Sequence, residues 1–130
     1  MPVNVVWIEE SSIIEFQCYQ EITAEDINFI GEKGTEAAEQ GAIYTLIDLT
    51  TVIALPRNLV NTTLRSTAFL AFANHPNARW LVFVKPNAAV RFMIEIALRN
   101  VSIKIVEERD IGVQFLRERA QTGDLPTNEG

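Results

Sequence analysis

The chain has 130 residues, 48% of them hydrophobic and 22% charged, a balance that predicts one globular domain with a sizeable core. Its 11 Lys and Arg residues against 17 Asp and Glu residues give a formal net charge of -6, which argues against a nucleic-acid-binding or anionic-membrane surface.

The cysteine and histidine content limits the metal and redox chemistry that we expect. One cysteine excludes an intrachain disulfide, and with one histidine it argues against a soft-metal site, so we expect no metal and no cofactor. The opening residues, MPVNVVWIEE, lack the basic and apolar regions of a secretory signal, and no stretch is long and apolar enough to span a bilayer. We therefore expect a cytoplasmic protein without an integral membrane segment.

The chain opens with two predicted strands, residues 3–8 and 13–19, whose short polar connection predicts an antiparallel hairpin. In the second strand Cys18 falls on the apolar face, while Glu15 and Gln17 fall on the other. The alternation predicts a half-exposed strand in which Cys18 is a small core residue and not a nucleophile.

A helix is predicted over residues 23–40, with Thr23 as its cap and two acidic residues in its first turn. Gly31 and Gly34 lie inside this helix and lack the strand-to-helix context of a phosphate loop, so we interpret them as close-packing positions. The small residues on that stripe predict a helix that lies close on a sheet.

Residues 41–50, GAIYTLIDLT, predict a central strand because both of its faces are mostly apolar. Asp48 and Thr50 stand at its carboxyl end, where the ligands of open α/β sheets gather. After a loop over residues 50–58 and a helix that ends at residue 74, residues 80–85, WLVFVK, predict a second central strand.

A helix over residues 88–99, a half-exposed edge strand over residues 101–106 and a last helix capped by Asp110 complete the domain. Residues 121–130 have too little apolar content to pack, so we expect a single domain over residues 1–120 and a flexible tail. The order ββαβαβαβα predicts the α/β class, with a mixed, mostly parallel five-stranded sheet and four helices.

The order of elements over residues 3–120, the strand end LIDLT at residues 46–50 and the strand WLVFVK resemble the STAS (SpoIIAA-like) fold of anti-sigma-factor antagonists. More closely, HPNARW at residues 75–80 and AAVRF at residues 88–92 resemble bacterial STAS-like proteins of unassigned function. The resemblance implies a cytoplasmic regulatory or protein-binding module that often self-associates.

The chain departs from this family where a phosphorylated residue is expected. Anti-sigma-factor antagonists carry an aspartate and then a phosphorylatable serine at the start of the helix after the central strand. Counting without gaps from Asp48, those places fall near Arg57 and Asn58, and neither side chain accepts phosphate as a serine does. We expect Asn58 to cap or flank that helix. The nearby hydroxyls are typical of caps and solvated positions: Thr50, Thr51, Thr62 and Thr63.

Several polar side chains follow the carboxyl ends of the two central strands, at the edge where helix amino termini also lie. They define a candidate site for an anion: Asp48, Arg57, Asn58, Lys85, Asn87 and Arg91. The alternative is that Arg91 pairs with Glu95 along its own helix and that Asn87 only caps this helix.

The helix over residues 90–98 carries more apolar surface than one sheet needs. At about 100° per residue, Arg91, Glu95 and Arg99 share one sector and apolar residues fill roughly 240° of the rest. We expect this surplus either to be buried by neighbouring helices or to form a homodimer interface. The candidate interface residues are Phe69, Phe72, Val90, Phe92, Met93 and Ile96.

Two hypotheses for function follow. The first is a non-enzymatic STAS-like regulatory or protein-interaction module without the phosphorylatable serine, a homodimer or a partner of another protein. The alternative is a small-molecule, anion or lipid-binding domain that uses the strand ends. A deep closed cavity near Asp48 and Lys85 would favour the second hypothesis, and a flat apolar patch the first. No catalytic residue is predicted, because His75, at a helix end, is explained as an exposed cation near the helix dipole.

Overall fold

The computed structural model describes residues 3–54 and 66–122. Strands and helices alternate along these two ranges as the sequence predicts, which confirms the α/β class and the order of elements. The elements are β1 (Val3–Glu9), β2 (Ile13–Glu21), α1 (Ala24–Ala38), β3 (Ile43–Ala54), α2 (Thr67–Ala73), β4 (Ala78–Val84), α3 (Ala88–Ala97), β5 (Ile103–Val106) and α4 (Arg109–Thr122).

The five strands form one mixed sheet in the spatial order β1-β2-β3-β4-β5. β1 pairs antiparallel with β2, and every other neighbouring pair is parallel. β3 therefore lies at the centre, as its two apolar faces predict, and β5 lies at an edge. The carboxyl ends of β2 to β5 all point to one end of the sheet.

The two faces of the sheet are covered unequally. On one face, which we term the three-helix face, the core includes apolar side chains of α1, α2 and α3 together with Phe16, Ile47 and Phe83 of the sheet. On the other, the single-helix face, Val113 and Leu116 of α4 pack on the sheet. The strands therefore need an apolar surface on both sides.

β3 is longer at its carboxyl end than the sequence predicts. It pairs with β4 only as far as Asp48, opposite Val84, but continues beside β2 to Ala54. Asp48 is therefore not the end of the strand; it marks the point where β4 separates from the sheet.

α1 begins with the predicted cap and packs on a different partner from the one predicted. The Thr23 hydroxyl accepts a hydrogen bond from the Asp26 amide, while the Asp26 carboxylate accepts one from the Thr23 amide, which completes a capping box. The glycine stripe faces α2 and not the sheet: a Cβ on Gly31 would lie 2.4 Å from the backbone of Ala68, and one on Gly34 would lie 2.5 Å from the Phe72 ring. The close-packing interpretation is confirmed, but the contact joins two helices.

The candidate interface residues divide between the core and the surface. Four of them, Phe69, Phe72, Val90 and Met93, are buried on the three-helix face. They offer no surface to a partner, because α2 and α3 share a layer with α1 and bury these side chains against it and the sheet. Phe92 is 60% exposed and Ile96 is half-buried, so the apolar surplus at the surface is smaller than the sequence predicts.

Some predictions concern residues that the structure does not describe. The structure does not describe Arg57, Asn58, Thr62 and Thr63. It also does not describe the first part of the predicted helix that ends at residue 74, or residues 123–130 of the tail.

α4 runs to Thr122, two residues beyond the predicted domain end. It begins at Arg109, so Asp110 lies in its first turn and does not precede it as the predicted cap. Within the described ranges, no helix is long and apolar enough to cross a membrane.

We expect Gly31→Ala to lower the free energy of unfolding by about 3 kcal/mol, because the added methyl would meet the α2 backbone, which cannot move aside as a side chain can. Urea denaturation measures the change. The control is Glu32→Ala, an exposed position one residue along the same helix, which should change stability by less than about 0.5 kcal/mol. Equal stability of the two variants would contradict the close helix contact.

Candidate functional site at the carboxyl end of the sheet

Lys85 directly follows the last residue of β4, as predicted, and Asp48 lies opposite that residue, although β3 itself continues to Ala54. Asp48 is half-buried, and its Oδ1 atom accepts hydrogen bonds from the Thr50 amide at 3.0 Å and the Thr50 hydroxyl at 2.6 Å. Lys85 is exposed and has a φ of 51°, a left-handed conformation in which its amide donates to the Val106 carbonyl at 2.7 Å. The Asp48 carboxylate is thus already engaged by its own strand.

Asn87 and Arg91 have structural partners. The Asn87 side chain accepts a hydrogen bond from the Val90 amide at 3.0 Å and caps α3. Arg91 forms an exposed ion pair with Glu107 at 3.3 Å, and not with Glu95 along its own helix. The structure brings Asp48, Lys85, Asn87 and Arg91 to one end of the sheet, but these four described residues do not form an anion pocket by themselves.

A small apolar cavity lies beneath this end on the three-helix face. Its volume is about 60 Å³, and the described residues that line it, among them Cys18, Ile47, Leu49 and Met93, are all apolar or sulfur-containing. Neither Asp48 nor Lys85 is among them. A cavity of this size holds one or two water molecules at most.

Cys18 is buried, as the strand pattern predicts. Burial, together with smaller effects of the negative charges of Asp26 and Asp48, raises the pKa of its thiol to about 12. The thiol therefore stays protonated at neutral pH and is a poor nucleophile. Within residues 3–54 and 66–122, no group of three or more His, Cys, Asp or Glu side chains is arranged to hold a metal ion.

The strongest polar contact at this end joins Glu15 of β2 to Arg109, the first residue of α4. Two of the three guanidinium nitrogens donate to the carboxylate, Nε to Oε2 at 2.8 Å and an Nη to Oε1 at 2.7 Å. Glu15 is fully buried, which corrects the prediction that this face of β2 is exposed. The cause is Arg109, which lies over the carboxylate from the single-helix face and is itself 42% exposed.

This ion pair is the feature of the site region that the sequence pattern missed. A carboxylate within the apolar run from Ile13 to Phe16 is a signal that a cation must cover it, because an unpaired buried charge is very costly. The pattern does not identify that cation, since Arg109 is 94 residues away in sequence.

The surroundings of Arg109 are acidic. The hydrogen bond to Glu15 raises the pKa of Arg109 above its ordinary value, and the charges of Glu15, Asp48 and Asp110 add to the effect, against a smaller opposing effect of burial. Arg109 is therefore a permanent cation among three carboxylates at the carboxyl end of the sheet.

Exposed apolar side chains belong to the elements at this end of the sheet. Four of the six large apolar side chains that are exposed in the described residues belong to the carboxyl ends of strands or to the helices that start there. They come from β2, β3, α3 and α4, and we term them the apolar rim: Tyr19, Ile53, Phe92 and Ile111.

The fold is similar to that of solved SpoIIAA structures. The chain matches the Bacillus cell fate determinant SpoIIAA in its phosphorylated form with a TM-score of 0.59 at 13% sequence identity, over 88% of this chain and 98% of that one. It matches the anti-sigma factor antagonist SpoIIAA in its unphosphorylated form with a TM-score of 0.61 at 14% identity, over 89% and 96%.

A third similar structure is an uncharacterized protein of the DUF3478 family with a SpoIIAA-like fold, from Shewanella loihica PV-4. Its TM-score is 0.59 at 14% identity, over 88% of this chain and 91% of that one. No protein-family model matches the chain, and no curated protein matches it at a significant level. The predicted STAS (SpoIIAA-like) fold is confirmed.

We expect Arg109→Ala to lower the free energy of unfolding by about 3 kcal/mol, because it leaves the Glu15 carboxylate buried without a counter-charge. This is the lower end of the usual range, since water can enter where the exposed part of Arg109 was. Urea denaturation at neutral pH measures the loss.

The matched control is Arg117→Ala on the same helix. Arg117 pairs with Glu9 at 3.0 Å, but both side chains are nearly half exposed, so its loss should cost less than about 1 kcal/mol. If the two variants were equally stable, the pair at Glu15 would be worth no more than a surface ion pair.

Proposed function

We propose that the chain is a non-enzymatic STAS-like regulatory or protein-interaction module, acting in the cytoplasm, that binds its partner through the carboxyl end of the sheet. The observation that carries this proposal is the apolar rim. Exposed apolar surface gathered at one end of a small domain is typical of a protein contact site.

The exposure of the rim residues supports a contact surface, because these side chains are exposed while their strands and helices are well packed. Ile53 is 81% exposed, Phe92 60%, Ile111 52% and Tyr19 43%, although the same strands and helices bury their other apolar residues. Each rim residue thus points away from a core that is already filled. Arg109 among them adds a residue type that is enriched in protein interfaces.

The cavity supports this function over the alternative of a small-molecule or lipid-binding domain. Ligand pockets are usually roughly 300–1,000 Å³ in volume. The cavity under the carboxyl end measures about 60 Å³ and involves neither Asp48 nor Lys85. An exposed apolar rim above a small cavity fits a protein that docks on the surface better than a ligand that enters the core.

The proposed module works without the phosphorylated serine of the anti-sigma-factor antagonists. SpoIIAA has been solved in a phosphorylated and an unphosphorylated form. In the present chain, an ungapped count from Asp48 reaches Arg57 and Asn58 instead of that serine. We propose that binding at the rim is governed by the partner's own concentration, not by phosphate on this helix start.

The partner that we propose is a second copy of the chain. A two-fold dimer covers an apolar patch with its own copy and leaves no surface on which further copies can add. Phe92 and Ile96 of α3 are the members of the candidate interface that retain exposed surface. We therefore propose that the dimer contact lies on this side of α3, at the part of the apolar rim that Phe92 forms.

We expect light scattering at micromolar concentration to give a mass near twice 14.6 kDa for the wild type and near 14.6 kDa for Phe92→Glu. A charge at an exposed interface position opposes association, and 60% exposure at Phe92 means that it should not unfold the domain. The matched control is Ala71→Glu, at an exposed position on α2, which should remain dimeric. A folded wild type, verified by circular dichroism, with a mass near 14.6 kDa would contradict the dimer.

A further inference from the structure

A wide groove lies at the amino end of the sheet, opposite the apolar rim. Its volume is about 670 Å³. Its walls are the turn after α2, the first residues of β4, the segment just before β5 and Arg119 of α4. It therefore lies where chain segments from both faces of the sheet meet, and it shares no residue with the candidate site.

The lining of the groove is basic, although the chain as a whole is acidic. Arg79, Arg119 and His75 all line it, and none of the described lining residues is an aspartate or a glutamate. In a chain of net charge -6, a groove whose described lining has three basic side chains and no carboxylate differs in charge from the protein as a whole. Such a concave site concentrates anions from solution.

Arg79 carries a hydrogen-bond donor that has no acceptor among residues 3–54 and 66–122. Its Nε atom is shielded from solvent and makes no hydrogen bond to any described group. A solvent-shielded Nε cannot itself contact a ligand in the groove, so an anion would be held by the two Nη atoms of the guanidinium, which are not buried in this way. A guanidinium presents its donors in a fork that matches a carboxylate or phosphate.

The wall opposite β5 is held rigidly by hydrogen bonds. The Asn77 amide donates to Nδ1 of His75 at 3.0 Å, and the Asn77 side chain donates to the Ala38 carbonyl at 2.8 Å. Because Nδ1 accepts, the neutral His75 ring carries its proton on Nε2, which makes that nitrogen a donor. Three of the side chains that line the groove, Arg79, Arg119 and His75, thus carry hydrogen-bond donors.

We propose that this groove binds a small-molecule anion through a carboxylate or phosphate group held by Arg79. The volume suits a ligand of metabolite size, and the basic lining selects for negative charge. Arg119 stacks on Trp80 at 5.0 Å and on Phe115 at 4.9 Å, so its guanidinium is held at the groove by aromatic contacts. Ligand binding in this groove is an addition to the proposed protein-interaction function, and it does not depend on the apolar rim.

The test uses Trp80 as its reporter. The chain has two tryptophans, and Trp80 lines the groove, so the full-length Trp7→Phe variant leaves it as the sole indole fluorophore. Citrate and pyrophosphate are the probes, titrated separately at constant ionic strength, with calorimetry as a second readout for binding that leaves the emission unchanged. We expect saturable binding of at least one probe, and the one that binds more tightly identifies the carboxylate or the phosphate as the preferred group.

In the same background, Arg79→Gln should weaken binding at least tenfold. The control is Arg117→Gln, which removes the same charge from an exposed position of α4 that does not line the groove and should leave the affinity unchanged; circular dichroism verifies the fold of both. The absence of saturable binding of both probes by fluorescence and calorimetry would overturn the proposal. So would equal affinity in the wild type and Arg79→Gln, or equal weakening by the two variants, which would indicate nonspecific attraction.

Discussion

The buried ion pair between Glu15 and Arg109 determines how the single-helix face of the sheet is closed. Glu15 is fully buried on a face whose other central residues include Leu46 and Val82, so its carboxylate needs a cation with good geometry. Arg109 supplies two short hydrogen bonds from the first residue of α4. The pair therefore fixes where the last helix begins. This position places Val113 and the other apolar side chains of α4 on the sheet.

The unequal covering of the two faces separates the chemistry of the two ends. Three helices cover one face, where α1 and α2 pack closely through Gly31 and Gly34 and a small apolar cavity lies under the carboxyl end of the sheet. One helix on the other face runs from Arg109 at the carboxyl end to Arg119 at the amino end. The carboxyl end thus combines exposed apolar side chains with balanced charges, which suits a protein partner, and the amino end is a basic groove, which suits a small anion.

Local patterns predicted the fold well because they report on nearby residues. Alternation and apolar runs located the strands. The caps at Thr23 and Asn87 were also predictable, because each side chain accepts a hydrogen bond from an amide only three residues away. The burial of Glu15 could not be predicted, because it depends on a residue from the other end of the chain. Periodicity likewise showed that α3 has surplus apolar surface, but a layer of three helices decides that Val90 is buried and Phe92 is exposed. The groove at the amino end combines four separate segments, so no single pattern contains it.

The central claim is that Glu15 and Arg109 stabilise the fold through each other. A double-mutant cycle with Glu15→Gln, Arg109→Gln and the double variant, measured by urea denaturation at neutral pH, tests it most directly. We expect a coupling free energy of about 2 kcal/mol, with the double variant more stable than the sum of the single losses predicts, because removing both charges leaves neither one buried alone. Additive losses, with a coupling near zero, would contradict the account and show that α4 is held on the sheet by its apolar face alone.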